Sequence, residues 1–141
     1  MKNARLLNKI YRNSRTSMEA ISEVMPSVSS EDMARILKKQ SGKYQKIARE
    51  ASDSLGELDR LPDEEGIFEK IGFSLTFRFG ILRDKSEPNL ASVLIEGCNG
   101  GIGDIRGELN AQKDYKTECI NLAEILIETE EEMIRDLQKF L

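Results

Sequence analysis

The sequence contains no histidine and no tryptophan. The missing imidazole removes serine and cysteine triads, histidine-ligated zinc and the Glu-x-x-His motif of di-iron bundles. Cysteine is scarce: Cys98 and Cys119 are the only two, too few and too far apart for a disulfide scaffold or a CxxC metal knuckle. Both fall on apolar helical stripes, which predicts buried free thiols in a reducing cytoplasm. No apolar run reaches the roughly 20 residues of a membrane-spanning helix. The N-terminal MKNARLLNKIYRNSR also lacks a signal-type apolar core, so the expectation is a cytoplasmic protein with no membrane partner. Positive charge is not in excess: the formal net charge is -4 and the pI near 5.1, which argues against nucleic acid as a general partner.

What remains is 141 residues, 39% of them hydrophobic, enough for one well-packed domain spanning residues 1–141. Residues 4–25 place Leu7, Ile10, Ser14, Ser17, Ile21 and Val24 at spacings of three and four, the mark of an amphipathic helix. Pro26 should stop it at Met25, and Ser29 or Ser30 should cap the next helix, with Glu31 and Asp32 favouring its N-terminal dipole. From 31 to 58 the stripe runs Met33, Leu37, Gln40, Tyr44, Ile47, Ala51, Leu55 and Leu58. DRLPDEEG, residues 59–66, reads as a loop.

GFSLTFRFGI, residues 72–81, alternates apolar and polar positions like a strand. No second alternating run of comparable length exists to pair with it, and Phe68, Ile71, Leu75, Phe79 and Leu82 also fit one helical face. The segment is therefore expected to be helical, with Phe73 and Phe77 on its back, and to be interrupted near Pro88. IEGCNGGIGDIRGEL, residues 95–109, carries five glycines. Even so, Ala91, Leu94, Ile95, Cys98, Ile102, Ile105 and Leu109 form a continuous helical face, with Gly100, Gly103 and Gly107 nearly opposite. The last segment, 114–140, presents Tyr115, Cys119, Leu122, Leu126, Thr129, Met133, Leu137 and Phe140. Its acids Glu128, Glu130, Glu131 and Glu132 are assigned to the outer side. The expected fold is all-α, an antiparallel four-helix bundle whose third helix is interrupted near Pro88.

LLNKIYRNSRTSMEAI, the SSEDM start of the second helix and IEGCNGGIGDIRGEL resemble an uncharacterised bacterial ferritin-like four-helix-bundle family. The resemblance implies a metal centre between the helices, but the ligands look lost: Met18 and Cys98 stand where inward glutamates are expected. Glu19, Glu50, Glu96 and Glu124 remain on four helices, at phases beside or away from the apolar stripes. No catalytic residue, metal ligand or cofactor is therefore assigned. A carboxylate-bridged iron or manganese protein is the competing expectation.

Glycine inside a helix costs about 0.5–1 kcal/mol relative to alanine. Small residues at this spacing admit a second helix. Gly100, Gly103, Gly107, Phe73 and Phe77 are accordingly the predicted interface, with a second copy in a homodimer or with an unknown protein partner. The basic strip Lys2, Arg5, Lys9, Arg12 and Arg15 is expected to be a solvated face or to pair with the acidic last helix, within the bundle or across an interface, rather than to bind nucleic acid or anionic lipid. Ser14, Ser17, Gln40, Tyr44 and Thr129 interrupt apolar stripes, and are expected to hydrogen-bond to one another, to backbone or to buried water.

Overall fold

The computed structural model describes residues 2–64, 83–111 and 114–141. Among them are four α-helices and no strand: α1 (Lys2–Val24), α2 (Glu31–Glu57), α3 (Glu87–Ala111) and α4 (Thr117–Leu137). The expected helix over 68–82, with Phe73 and Phe77, lies outside the described residues. None of the described helices is long and apolar enough to cross a membrane.

The boundaries follow local chemistry. Pro26 ends α1 at Val24 in a 3-10 turn, Met25–Ser27. Ser30 caps α2, its hydroxyl accepting from the Met33 amide at 3.1 Å, while Glu31 and Asp32 occupy the first turn. α2 closes with Asp59 in the left-handed region at φ 57°. The Asp59 amide donates to the Gly56 carbonyl and the Arg60 amide to the Leu55 carbonyl, the paired bonds of a Schellman ending. At the start of α3, helical Arg83 is followed by three non-helical residues, 84–86, and Pro88 sits in the first turn where its missing amide proton is harmless.

Paired side chains fix the helix directions. Arg5 meets Glu108, Lys9 meets Asp104 and Asn13 meets Gly101, so α1 and α3 are antiparallel. Asn3 accepts from the Lys116 amide and Ser17 donates to Glu130, so α1 and α4 run together. Lys43 meets Glu132, and Lys139 meets Asp32, which sets α2 against α4. The helices therefore do not simply alternate along the chain: α2 and α3 point the same way, their starts joined by the Ser30 amide donating to Glu87 at 3.0 Å. Leu58 and Ser86 consequently lie at opposite ends of the bundle.

The apolar stripes converge on one core containing Leu6, Leu7, Ile10, Met33, Leu37, Leu55, Leu90, Ile105, Leu126 and Leu137, all fully buried. Each such side chain contributes about 1.5–3 kcal/mol relative to exposure. Cys98 and Cys119 are buried free thiols. The basic strip of α1 is paired within the chain, with partners that lie outside α4. Lys2 meets Asp114, Arg5 and Lys9 meet Glu108, Lys9 also meets Asp104, Arg12 meets Asp63 and Arg15 meets Glu64. α3 supplies the acids for Arg5 and Lys9, and the segments next to the helices supply those for Lys2, Arg12 and Arg15.

A buried carboxylate beside a cavity

Glu130 is the principal difference between expectation and structure. It belongs not to the outer side of α4 but to the core, 1% exposed. α4 buries a second ridge, Ala123, Ile127 and Glu130, beside the expected one. That ridge is visible in the sequence as apolar residues three and four positions from Glu130, but the neighbouring acids mask it.

The Ser17 hydroxyl, from α1, donates to Glu130 Oε1 at 3.1 Å, and Oε2 has no hydrogen-bond partner among the described residues. Room for the carboxyl comes from Gly101 on α3. A Cβ there would collide with Glu130 Oε2 and crowd the Asn13 amide at 2.9 and 3.0 Å, while Asn13 Nδ2 itself donates to the Gly101 carbonyl at 3.1 Å. Around this contact, the Tyr44 hydroxyl lies 3.9 Å from Cys98 Sγ and 3.7 Å from Met133 Sδ, so all four helices contribute.

Burial dominates the electrostatics. It pushes the Glu130 carboxyl up to about 8, against the opposing influence of the Ser17 and Tyr44 hydroxyls. It pushes the Cys98 thiol up to about 12, with Glu130 adding to the effect, and it holds the Tyr44 phenol well above its ordinary value. At neutral pH all three groups keep their protons. A thiol raised in this way is a poor nucleophile, because the thiolate is the reactive form.

A cavity of about 240 Å³ lies between α1 and α3, and Glu130 itself is not among its walls. Its walls include Ala20, Val93, Leu94 and Met133, and its polar edge is Asn13, Thr16 and Ser17. Tyr44, Cys98 and Gly101 complete the side nearest Glu130. For scale, a dry engineered cavity of about 150 Å³ holds a benzene molecule.

The other predicted residues divide clearly. Gly100, Gly103 and Gly107 are exposed, and an added Cβ at any of them would meet nothing within 4 Å among the described residues. Glu50, Glu96 and Glu124 are exposed and Glu19 is half-buried. No group of three or more His, Cys, Asp or Glu placed to hold a metal ion occurs among the described residues. Among the polar interruptions, Ser14 and Thr129 donate to the Ile10 and Ile125 carbonyls of their own helices, both at 2.8 Å. Gln40 has both amide atoms buried with no partner among the described residues.

A second buried glutamate also escaped the sequence reading. Glu108 of α3 is 4% exposed but fully engaged. It accepts from Tyr115 Oη at 2.8 Å and from Arg5 Nε at 2.9 Å, with Lys9 at 3.5 Å. Burial alone would raise its carboxyl; Tyr115, Arg5 and Lys9 outweigh that and leave it below the usual range. No protein-family model matches this chain, and no curated protein or solved structure does so either.

Proposed function

We propose that this protein is a non-catalytic, ferritin-like four-helix bundle that acts by association, its exposed α3 glycine face receiving the same face of a second copy. The observation that carries this reading is the contrast among the α3 glycines. Gly101 is accounted for by the Glu130 carboxyl. Gly100, Gly103 and Gly107 weaken the helix, by about 0.5–1 kcal/mol each, and nothing among the described residues occupies the space they leave. A helix backbone packed against that face would use the close approach that small residues permit. The shared direction of α2 and α3 and the long, opposed helix pairs support the ferritin-like arrangement. Two buried thiols support a reducing, cytoplasmic setting.

Sedimentation of the full chain at micromolar concentration tests this. A dimer that Gly103→Leu converts to a folded monomer supports the reading, and a wild-type monomer overturns it. Metal analysis of protein purified without chelator tests the competing carboxylate-bridged reading, which would be favoured by about two equivalents of iron or manganese.

A further inference from the structure

The cavity between α1 and α3 has largely apolar walls, and the buried Tyr44 hydroxyl stands among them. We propose that it is a binding site for a small uncharged carbonyl compound, whose apolar body lies among Ala20, Val93, Leu94 and Met133 and whose oxygen accepts a hydrogen bond from Tyr44. This inference does not depend on self-association.

Size and wall chemistry fix the class of ligand. At about 240 Å³ the space exceeds the roughly 150 Å³ that holds a benzene molecule, so it admits a ring with a short substituent. None of the described residues lining it carries a charged side chain. An ion placed there would lose its hydration without gaining a countercharge, which costs far more than burying a neutral polar group. The ligand is therefore uncharged and mostly apolar. The cavity can be entered between the helices, because Thr16 and Ala20 of α1 and Val93 and Gly97 of α3 are only half-buried.

Tyr44 supplies the polar specificity. It is fully buried, and its hydrogen bonds among the described residues are the long ones to sulfur, 3.7 Å to Met133 Sδ and 3.9 Å to Cys98 Sγ. Ser17 and Glu130 are near enough to influence the phenol without making a hydrogen bond to it. Sulfur is a weak acceptor and a phenol a good donor, and buried donors in native structures normally find a full partner. The phenol keeps its proton near neutrality, because burial holds it well above its ordinary value. Two other polar groups of the wall have already committed their donors: the Asn13 amide to the Gly101 carbonyl, and the Ser17 hydroxyl to Glu130. A ligand carbonyl gives Tyr44 the acceptor that the two sulfurs replace poorly.

The test is titration of the full chain with acetophenone, followed by NMR chemical shifts. Benzoate and benzylammonium serve as charged comparisons of similar size, and ethylbenzene as the comparison without an acceptor. The expected result is saturable one-to-one binding of acetophenone with a Kd of about 0.1–1 mM, and at least about tenfold weaker binding of either ion. The carbonyl stretch of bound acetophenone, read by infrared difference spectroscopy, should lie below its position in hexane, as it does for a hydrogen-bonded carbonyl. Tyr44→Phe should weaken acetophenone by about threefold to tenfold and leave ethylbenzene unchanged or tighter. Ala20→Phe, which fills the cavity from its half-buried edge, should abolish binding of both. Absence of saturable binding by the wild-type chain, equal affinity for either ion, a carbonyl stretch at the hexane position, or equal weakening of both neutral ligands by Tyr44→Phe each overturns the proposal. The first three outcomes decide the matter even if a variant fails to fold.

Discussion

The Glu130 carboxyl occupies the space that a side chain at Gly101 would need. One helix thus carries a residue whose absence of a Cβ is required by a glutamate on another. At most other helical positions, glycine to alanine is a gain of about 0.5–1 kcal/mol.

At this position the sign should reverse. Gly101→Ala is expected to destabilise the protein by about 1–2 kcal/mol, because a buried carboxyl must move with the cavity wall. In a Glu130→Ala background the same change should be neutral or stabilising. Chemical denaturation of the four proteins forming this cycle measures the coupling, and additive effects would show that the contact is not what constrains Gly101.

Gly103→Ala supplies the opposite case. No described residue lies within 4 Å of the added methyl, so the intrinsic preference should appear unopposed: a gain of about 0.5–1 kcal/mol, or a melting temperature higher by roughly 3 °C. A loss measured at concentrations where the protein is dimeric, turning to a gain on dilution, would place the methyl in the interface.

Stability should fall as pH rises from about 5 to 8. Across that window the folded chain keeps on Glu130 a proton that the unfolded chain has released, so each pH unit removes up to about 1.4 kcal/mol. The contribution is fully present below the ordinary glutamate value near 4.5 and is lost once the folded value near 8 is passed. Glu108 and Glu132, both held below their ordinary values, act in the opposite direction and only in acid. Glu130→Gln should flatten the profile between pH 5 and 8; an unchanged slope in thermal melts would assign it to another group.

Tyr115→Phe removes the shortest hydrogen bond to Glu108 and leaves Arg5 and Lys9 to hold it. Hydrogen bonds to charged groups are worth about 1.5–3 kcal/mol. The expected loss is near the lower end, because Arg5 is largely exposed and compensates. Urea denaturation at pH 7 reads it directly, and a neutral result would show that the two cations suffice.

Asp59→Gly should strengthen the end of α2 by about 1 kcal/mol or less, since the left-handed backbone at φ 57° is strained for any residue with a Cβ. Thermal melting of the variant checks this, and a loss would point to a favourable role for the Asp59 side chain at that end.

The sequence by itself determined where the helices lie. Stripes at spacings of three and four, Ser30 as a cap, Pro26 as a stop and Pro88 in a first turn are local properties, set by side-chain periodicity and backbone sterics within a few residues. The five glycines of 95–109 did not prevent a helix, because the apolar face opposite them is buried by tertiary packing. Tertiary structure alone decided what each helix faces. Glu108 and Glu130 have the same side chain, and only Glu130 lies in an acidic stretch of sequence. One is inside because α1 brings Arg5 and Lys9 to it, and the other because Gly101 leaves it space. Neither partner is near in sequence, and no helical period encodes which acid a distant helix will cover. The direction of α2 relative to α3 was hidden for the same reason: an amphipathic stripe specifies a buried face but not the end from which the chain enters it.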